Sequence, residues 1–215
     1  MGLLGRLKRG TQDEDDYQYE DARRDEPPPP DALRHNEAAR RMITEGLFEE
    51  ALDELRQAVR RKPDYAEAHF NMGVANYYMG RFAEAAKGYE RAVRCAPDFA
   101  EAHSNLGLVY SETGRGVDAI RSCLQAIRLS PDYPDAYSNL AVAYYNWGSY
   151  PEAVKACHRA LHIDPAHPYA RYTLALVYVD LKDKARAMAE HEVLEGLDPE
   201  LAETLLARIH EGLRR

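Results

Sequence analysis

The sequence AEAHFNMGVANYYMGRFAEAAKGYERAVRCAPDF, residues 66–99, decides the fold, because the chain realigns with itself when it is shifted by 34 residues. Two columns of the realigned sequence do not vary. The prolines are Pro63, Pro97, Pro131, Pro165 and Pro199, and the alanines are Ala51, Ala85, Ala119, Ala153 and Ala187. A period of this length is typical of repeat arrays, in which each unit buries its apolar face only by stacking on its neighbours.

Each unit is predicted to be a pair of helices. In residues 66–99, apolar and small residues recur at helical spacing as far as Met79, and Gly80 then interrupts the pattern. A second apolar stripe begins at Phe82 and ends before Pro97. Small residues recur in the first helix where the two helices must approach closely. They are Gly73, Gly107, Ala141 and Ala175. The pattern predicts an all-α solenoid.

Composition favours one soluble array without a metal or a cofactor. The 215 residues are 45% hydrophobic, and the net charge of -8 weighs against nucleic acid, since phosphate groups need a positive field. The three cysteines, Cys95, Cys123 and Cys157, lie in repeat interiors. They are therefore predicted to be reduced and packed, which favours a cytoplasmic location. No apolar run approaches the ~18 to 20 residues of a membrane span, so no stable insertion is expected.

Residues 1–31 differ in composition from the repeats and are predicted to form a disordered arm. Residues 1–10, MGLLGRLKRG, are basic and contain leucines, but they lack the apolar core of a secretory signal. They are either a disordered start or a peptide that docks weakly on a partner or an anionic membrane surface. Residues 11–31 are acidic and end with four prolines before Asp31, which predicts an extended tether.

The invariant columns resemble the tetratricopeptide repeat family, whose pattern of Leu-Gly, Tyr, Ala and Pro is met by Leu106, Gly107, Tyr110, Ala119 and Pro131. The resemblance covers five units of helix-turn-helix type, followed by a predicted capping helix at residues 202–215. The units are residues 32–65, 66–99, 100–133, 134–167 and 168–201. The resemblance implies a right-handed α-solenoid whose concave face is lined by the first helices and binds proteins or peptides.

The fourth place of the unit, tryptophan in the family pattern, holds His35, His69 and His103. Successive first helices lie ~8 to 10 Å apart, whereas metal bonds to histidine are ~2.0 to 2.1 Å long, so one ion cannot join two of them. These histidines are interpreted as packing groups. His158 and His162 on a second helix are interpreted as surface groups. No stretch combines a nucleophile with a base, so the chain is predicted not to be an enzyme.

The predicted binding site lies on the face of the first helices opposite to the packing residues. On this face the second, sixth and ninth places of units two to four form three rows. The rows are Glu67, Glu101 and Asp135, then Asn71, Asn105 and Asn139, then Val74, Leu108 and Val142. Tyr78 and Tyr145 complete the predicted groove.

The asparagine row suits a peptide ligand, because an amide side chain offers donors and an acceptor to the N–H and C=O groups of a backbone. The row is similar to the asparagine ladder in the repeats of O-linked N-acetylglucosamine transferases, with SNLG at residues 104–107 and SNLA at residues 138–141. Alternatively, the asparagines make only local hydrogen bonds. The acidic row would favour neutral or basic segments of a partner protein.

The chain is therefore predicted to be a non-enzymatic adaptor or scaffold that holds an extended segment of another protein in its concave groove. It is expected to be a monomer or to self-associate weakly. One alternative is a self-associating assembly protein that acts through its convex face and its N-terminal arm. A third possibility is an accessory subunit of a glycosyltransferase-like enzyme.

Overall fold

The computed structural model describes residues 26–212, and within that range it contains eleven α-helices and no strand. Ten of the helices form five consecutive pairs, which we call repeats 1 to 5. The pairs are α1 Pro30–Thr44 with α2 Phe48–Arg61, α3 Ala66–Tyr78 with α4 Phe82–Cys95, α5 Ala100–Glu112 with α6 Gly116–Leu129, α7 Pro134–Asn146 with α8 Tyr150–Ile163, and α9 Pro168–Asp180 with α10 Lys184–Glu195. The last helix is α11, Pro199–Gly212. The all-α solenoid predicted from the period is confirmed.

The helices pack in the order of the chain. The two helices of each repeat contact each other, and each second helix also contacts the first helix of the next repeat. The helix α11 packs on both α9 and α10, so it covers the end of the stack. Such an array is stabilised by contacts within a repeat and between neighbours, with no single central core.

The alanine column lies at the centre of these contacts. Its members Ala51, Ala85, Ala119, Ala153 and Ala187 are all 0% exposed. In repeat 2 the approach is closer still, because a Cβ atom placed on Gly88 would lie 2.6 Å from the backbone nitrogen of Gly73. The backbones of α3 and α4 therefore touch at two glycines, and no larger residue fits there without a shift.

Two residues after the end of each first helix, the chain has a residue with left-handed backbone conformation. In repeats 1 to 4 this residue is a glycine with φ between 70° and 78°, the conformation that glycine adopts without steric cost. In repeat 5 it is Lys182, with φ 61°. The hairpin of repeat 5 thus keeps the turn although the sequence has lost the glycine, at a cost of ~1 to 2 kcal/mol.

The ends of the array differ slightly from the predicted boundaries. The helix α1 begins at Pro30, which the sequence assigned to the tether, and α11 begins at Pro199 rather than at residue 202. Proline suits the first position of a helix, because the N–H that it lacks has no partner within the helix. Just before α1, Lys62 Nζ donates to the backbone oxygen of Glu26 at 2.6 Å. The predictions for residues 1–25 lie outside the described residues.

The structure also bears on the predictions about membranes and cysteines. No helix in residues 26–212 is both long enough and apolar enough to cross a bilayer. Cys123 and Cys157 are buried, whereas Cys95 is half-buried. Burial raises the pKa of the Cys123 and Cys157 thiols to about 12.

We expect the three cysteines to differ in their reaction with iodoacetamide at pH 8. Cys123 and Cys157 should stay unmodified in the folded protein, because a thiol with such a pKa is almost never ionised at pH 8 and the side chains are covered. Cys95 should react first. Peptide mapping by mass spectrometry before and after unfolding in guanidinium measures this, and equal labelling of all three in the folded state would contradict it.

Replacing Gly88 by alanine should destabilise the array, because the new methyl group would meet backbone atoms of Gly73. Overpacking costs ~1 to 3 kcal/mol, more than the ~0.5 to 1 kcal/mol that alanine gains over glycine in a helix. The matched control is Gly196→Ala, where the nearest atom to the added Cβ lies at 3.6 Å. Thermal unfolding should show a lower melting temperature for Gly88→Ala alone. Equal melting temperatures would mean that α3 and α4 are not in backbone contact.

Candidate functional site

A cavity of about 570 Å³ lies on the face formed by the first helices of repeats 2 to 5. Its walls come from α3, α5, α7 and α9, and its floor includes a ring from α4. Tyrosine is the most frequent of its 19 lining residues. The tyrosines are Tyr77, Tyr78, Tyr89, Tyr133, Tyr145, Tyr169 and Tyr172. No single repeat contains this surface, which exists only where four of them stack.

Eight of the eleven residues predicted for the groove line this cavity. They are Val74, Tyr78, Asn105, Leu108, Asp135, Asn139, Val142 and Tyr145. The other three lie elsewhere: Glu67 and Glu101 are exposed near the beginnings of α3 and α5, and Asn71 is buried. The structure therefore brings the aliphatic row together, whereas only Asp135 of the acidic row reaches the cavity.

The amide groups of the asparagine row are engaged within the protein. Asn71 Nδ2 donates to Asn36 Oδ1 at 2.8 Å. Asn139 Nδ2 donates to Ser104 Oγ at 2.9 Å and to the Ser104 backbone oxygen at 3.3 Å. Both bonds join one first helix to the first helix of the preceding repeat. The donors of these two side chains thus hold the stack together, and the role of the row in binding a peptide backbone stays a prediction.

Asn105 departs from this pattern. Asn71 and Asn139 each bond the residue 35 positions earlier, and for Asn105 that residue is Phe70, whose side chain cannot accept the bond. The Phe70 ring lies 4.9 Å from the ring of Phe99 and 5.6 Å from that of Tyr89, measured between centroids. These rings separate α3 from α5, which barely touch, whereas the other first helices pack on their neighbours. Asn105 instead lies near the Tyr89 hydroxyl, where its amide opposes the rise in the pKa of Tyr89 that burial causes, and the Tyr89 ring lines the cavity floor.

The tyrosines of the cavity lie close to carboxylates and to one another. Burial raises the pKa of Tyr77, and the charge of Glu112 and the phenol of Tyr169 raise it further. Burial likewise raises the pKa of Tyr133, with a further contribution from Asp135. Tyr77 belongs to repeat 2 and Tyr169 to repeat 5, so the cavity combines tyrosines from distant parts of the chain. The negative charges make the site attractive to cations.

His167 fixes the position of the Asp135 carboxylate. The ring of His167 is buried, and its Nδ1 accepts a hydrogen bond from the backbone N–H of Ala170 at 3.2 Å. The neutral ring must then carry its proton on Nε2, which lies 3.2 Å from Asp135 Oδ1 and donates to it. The Asp135 side chain is itself 54% exposed. The residue that precedes α9 thus holds a carboxylate of α7 at the edge of the cavity.

The three histidines of the fourth place are half-buried, and His35 Nδ1 lies 2.6 Å from Glu54 Oε2, whereas the other two bond to the backbone. His69 Nε2 and His103 Nε2 donate to the backbone oxygens of Pro63 and Pro97, at 2.8 and 3.0 Å. Burial lowers the pKa of both histidines, which keeps them neutral. No group of three or more potential metal ligands occurs in residues 26–212.

The sequence prediction missed several residues of the cavity, although the repeat positions of some of them could have identified them. Tyr169 and Leu176 occupy the second and ninth places of repeat 5, so extending the predicted rows by one unit would have included them. Tyr133 and His167 directly precede α7 and α9 and lie outside the helical stripe on which the prediction was based. Whether these two side chains reach the cavity depends on the curvature of the stack, and the 34-residue period of the sequence does not specify that curvature.

The bond between Asn139 and Ser104 should contribute ~0.5 to 1.5 kcal/mol to the stability of the stack, since the Ser104 side chain is fully buried. A double-mutant cycle of Asn139→Ala and Ser104→Ala, measured by denaturant unfolding, should show this coupling. The control is a cycle of Asn146→Ala with Ser104→Ala, because Asn146 bonds Ser111 and not Ser104. In this cycle the changes in unfolding free energy should be additive. Additivity in both cycles would show that the first bond contributes nothing.

Three solved structures illustrate the similarity in fold. A thermophilic TPR protein from Thermus thermophilus has a TM-score of 0.71 and 17% identity, over 86% of this chain and 100% of that one. MamA from Desulfovibrio magneticus RS-1 has a TM-score of 0.67 and 20% identity, over 81% and 98%. YrrB, described as a TPR protein with an unusual peptide-binding site, has a TM-score of 0.60 and 19% identity, over 88% and 95%. Identities this low establish the fold alone.

The comparison of sequences is consistent with the fold. A search of curated proteins finds no significant match. Models of the tetratricopeptide repeat match residues 36–98, 72–134 and 134–167. These matches cover more than half of the chain, and they fall on the helix pairs from α1 to α8. The chain therefore belongs to the tetratricopeptide repeat family.

Proposed function

We propose that this protein is a non-enzymatic adaptor that binds a segment of a partner protein in the tyrosine-lined cavity. Tetratricopeptide repeat proteins are in general scaffolds for protein interactions. The observation that carries the proposal is that one cavity draws its walls from four consecutive first helices. Such a surface recognises a ligand only when the repeats are stacked.

The size and composition of the cavity suit side chains of a protein ligand. A volume of about 570 Å³ lies within the range of ligand pockets, ~300 to 1,000 Å³, and holds a few side chains. Tyrosine is enriched at the centres of protein interfaces, because its ring buries a large apolar area and its hydroxyl forms hydrogen bonds. The partner segment would lie along the first helices and insert its anchor side chains between the tyrosines.

The asparagines have a narrower role in this proposal than a full ladder. Asn71 is buried outside the cavity, and the NH₂ group of Asn139 donates to Ser104 Oγ and to the Ser104 backbone oxygen, so the group that Asn139 offers a ligand is its carbonyl oxygen, which accepts. The similarity to the repeats of O-linked N-acetylglucosamine transferases therefore stays a prediction. The peptide-binding site named for YrrB supports a peptide ligand in general terms.

A second candidate function, self-association, is favoured by exposed apolar residues at the turns. Val117, Trp147 and Leu181 are 56%, 59% and 51% exposed. Trp147 and Leu181 occupy the same place in successive repeats, and the Trp147 ring lies against Gly116, next to Val117. Large exposed apolar side chains in one region mark contact surfaces. Two copies of the chain joined by these turns would leave the cavity accessible.

Replacing Tyr78 and Tyr169 together by alanine should weaken peptide binding at least tenfold. These rings are 64% and 60% exposed, so the change removes contact area from the cavity with little effect on packing. The ligands are peptides selected from a displayed random library with the full-length chain. Their dissociation constants are measured by titration calorimetry or fluorescence anisotropy.

The matched control is the double variant Leu124→Ala and Val193→Ala. Both side chains are exposed, at 47% and 44%, and both lie outside the cavity. It should bind the selected peptides like the unmodified chain. Equal weakening in both variants, or none in either, would overturn the proposal. Light scattering at high concentration addresses the second function, since a monomer would argue against self-association.

A further inference from the structure

The lining of the cavity carries negative charge only. Among the described residues that form it, the ionised groups are the carboxylates of Glu112 and Asp135, and neither lysine nor arginine is present. Glu112 is exposed at the end of α5, and Asp135 is exposed at the beginning of α7. His167 donates to Asp135 and thereby keeps that carboxylate in place. A cationic ligand would therefore meet two exposed carboxylates beside the tyrosine rings, and His167 holds one of them, Asp135, in place.

The aromatic rings leave open surfaces around the same space. Tyr78 stacks one face on Phe48, with ring centroids 5.5 Å apart and planes within 8°. Because the Tyr78 side chain is nevertheless 64% exposed, its other face is open. Tyr169 contacts His167 through a T-shaped arrangement at 6.5 Å and is 60% exposed. The faces of tyrosine rings attract cations, since the ring quadrupole is negative there.

We propose that the anchor residue of the partner segment is an arginine whose guanidinium group lies among the cavity tyrosines and pairs with Asp135. The inference rests on the proposed function and specifies its ligand. The combination of aromatic faces and carboxylates around one space carries it. Neither feature alone would select a cation strongly, because exposed ion pairs are weak and exposed cation–π contacts are modest.

Arginine fits this cavity better than lysine for two physical reasons. The guanidinium is planar and weakly hydrated, so it stacks on tyrosine faces with a smaller loss of hydration than an ammonium group. It also has five N–H donors, which match acceptors that diverge around the cavity. The acceptors include the carboxylate of Asp135, tyrosine hydroxyls, and the carbonyl oxygen of Asn139, which lies one turn further along α7 and bonds Ser104 through its NH₂ group.

The test uses the full-length chain and the peptides selected from the random library. We expect arginine to be enriched at one position of the peptides whose binding depends on Tyr78 and Tyr169. In synthetic versions of the best peptide, replacing this arginine by citrulline, its neutral isostere, should weaken binding at least tenfold. Replacement by lysine should weaken binding by a smaller factor, and higher salt should weaken the arginine peptide more than the citrulline peptide.

The protein variants are Asp135→Asn and Glu112→Gln. Both preserve shape, and the asparagine still accepts the hydrogen bond from His167, so folding should persist. Asp135→Asn should weaken the arginine peptide about fivefold to tenfold, whereas Glu112→Gln should weaken it by a smaller factor, because that carboxylate lies at the other end of the parallel first helices. Neither variant should change the binding of the citrulline peptide. The control is Glu101→Gln, which removes an exposed carboxylate from the same place of the preceding repeat, outside the cavity. It should leave both peptides unchanged.

The possible results separate this inference from the function on which it rests. Peptides that depend on the two tyrosines but bind equally well with citrulline would overturn the arginine anchor and leave the adaptor function standing. Equal binding of lysine and arginine peptides would overturn the choice of a guanidinium. A library that yields no peptide dependent on Tyr78 and Tyr169 would overturn both proposals.

Discussion

The close contact of helices through small side chains is the constraint on which the rest of the structure depends. The alanine column is fully buried in all five repeats, and the backbones of α3 and α4 meet at Gly73 and Gly88. Since each helix pair is too small to bury its own apolar face, this contact recurs at every period and extends the stack. Repeat 5 keeps the contact at Ala187 although its turn has Lys182 in place of glycine. Packing is therefore retained where the turn residue has changed.

The candidate site arises where the regular packing of first helices is interrupted. Between repeats 2 and 3, the rings of Phe70, Phe99 and Tyr89 occupy the space in which two first helices would otherwise touch. The ring of Tyr89 is 2% exposed and still forms part of the cavity floor. The same residue thus contributes to the core and to the site. Because neighbouring rings fix it, the floor of the cavity is as well ordered as the core.

The sequence predicted the contacts that follow the period and missed those that depend on curvature. Helical spacing placed Val74, Leu108 and Val142 on one face, and all three line the cavity. Helical spacing also placed Glu67 and Glu101 in the same site as Asp135. These residues occupy the second place of their repeats, near the beginning of the first helix, and only the second-place residues of repeats 4 and 5, Asp135 and Tyr169, line the cavity. The hydrogen bond between Asn71 and Asn36 depends on how the first helices of repeats 1 and 2 are aligned with each other. The spacing of residues along one helix does not specify this alignment.

Stability and the proposed recognition use the same face of this array. The bond from Asn139 to Ser104 joins α7 to α5 beside the cavity, and the contact of His167 with Asp135 joins the beginning of α9 to the beginning of α7. A ligand that touches α3, α5, α7 and α9 at once would bind only the stacked form. Its binding energy would then add to the nearest-neighbour terms that hold the repeats together, by ~2.7 kcal/mol at a ligand concentration one hundred times the dissociation constant. Binding and stacking would therefore reinforce each other in this chain.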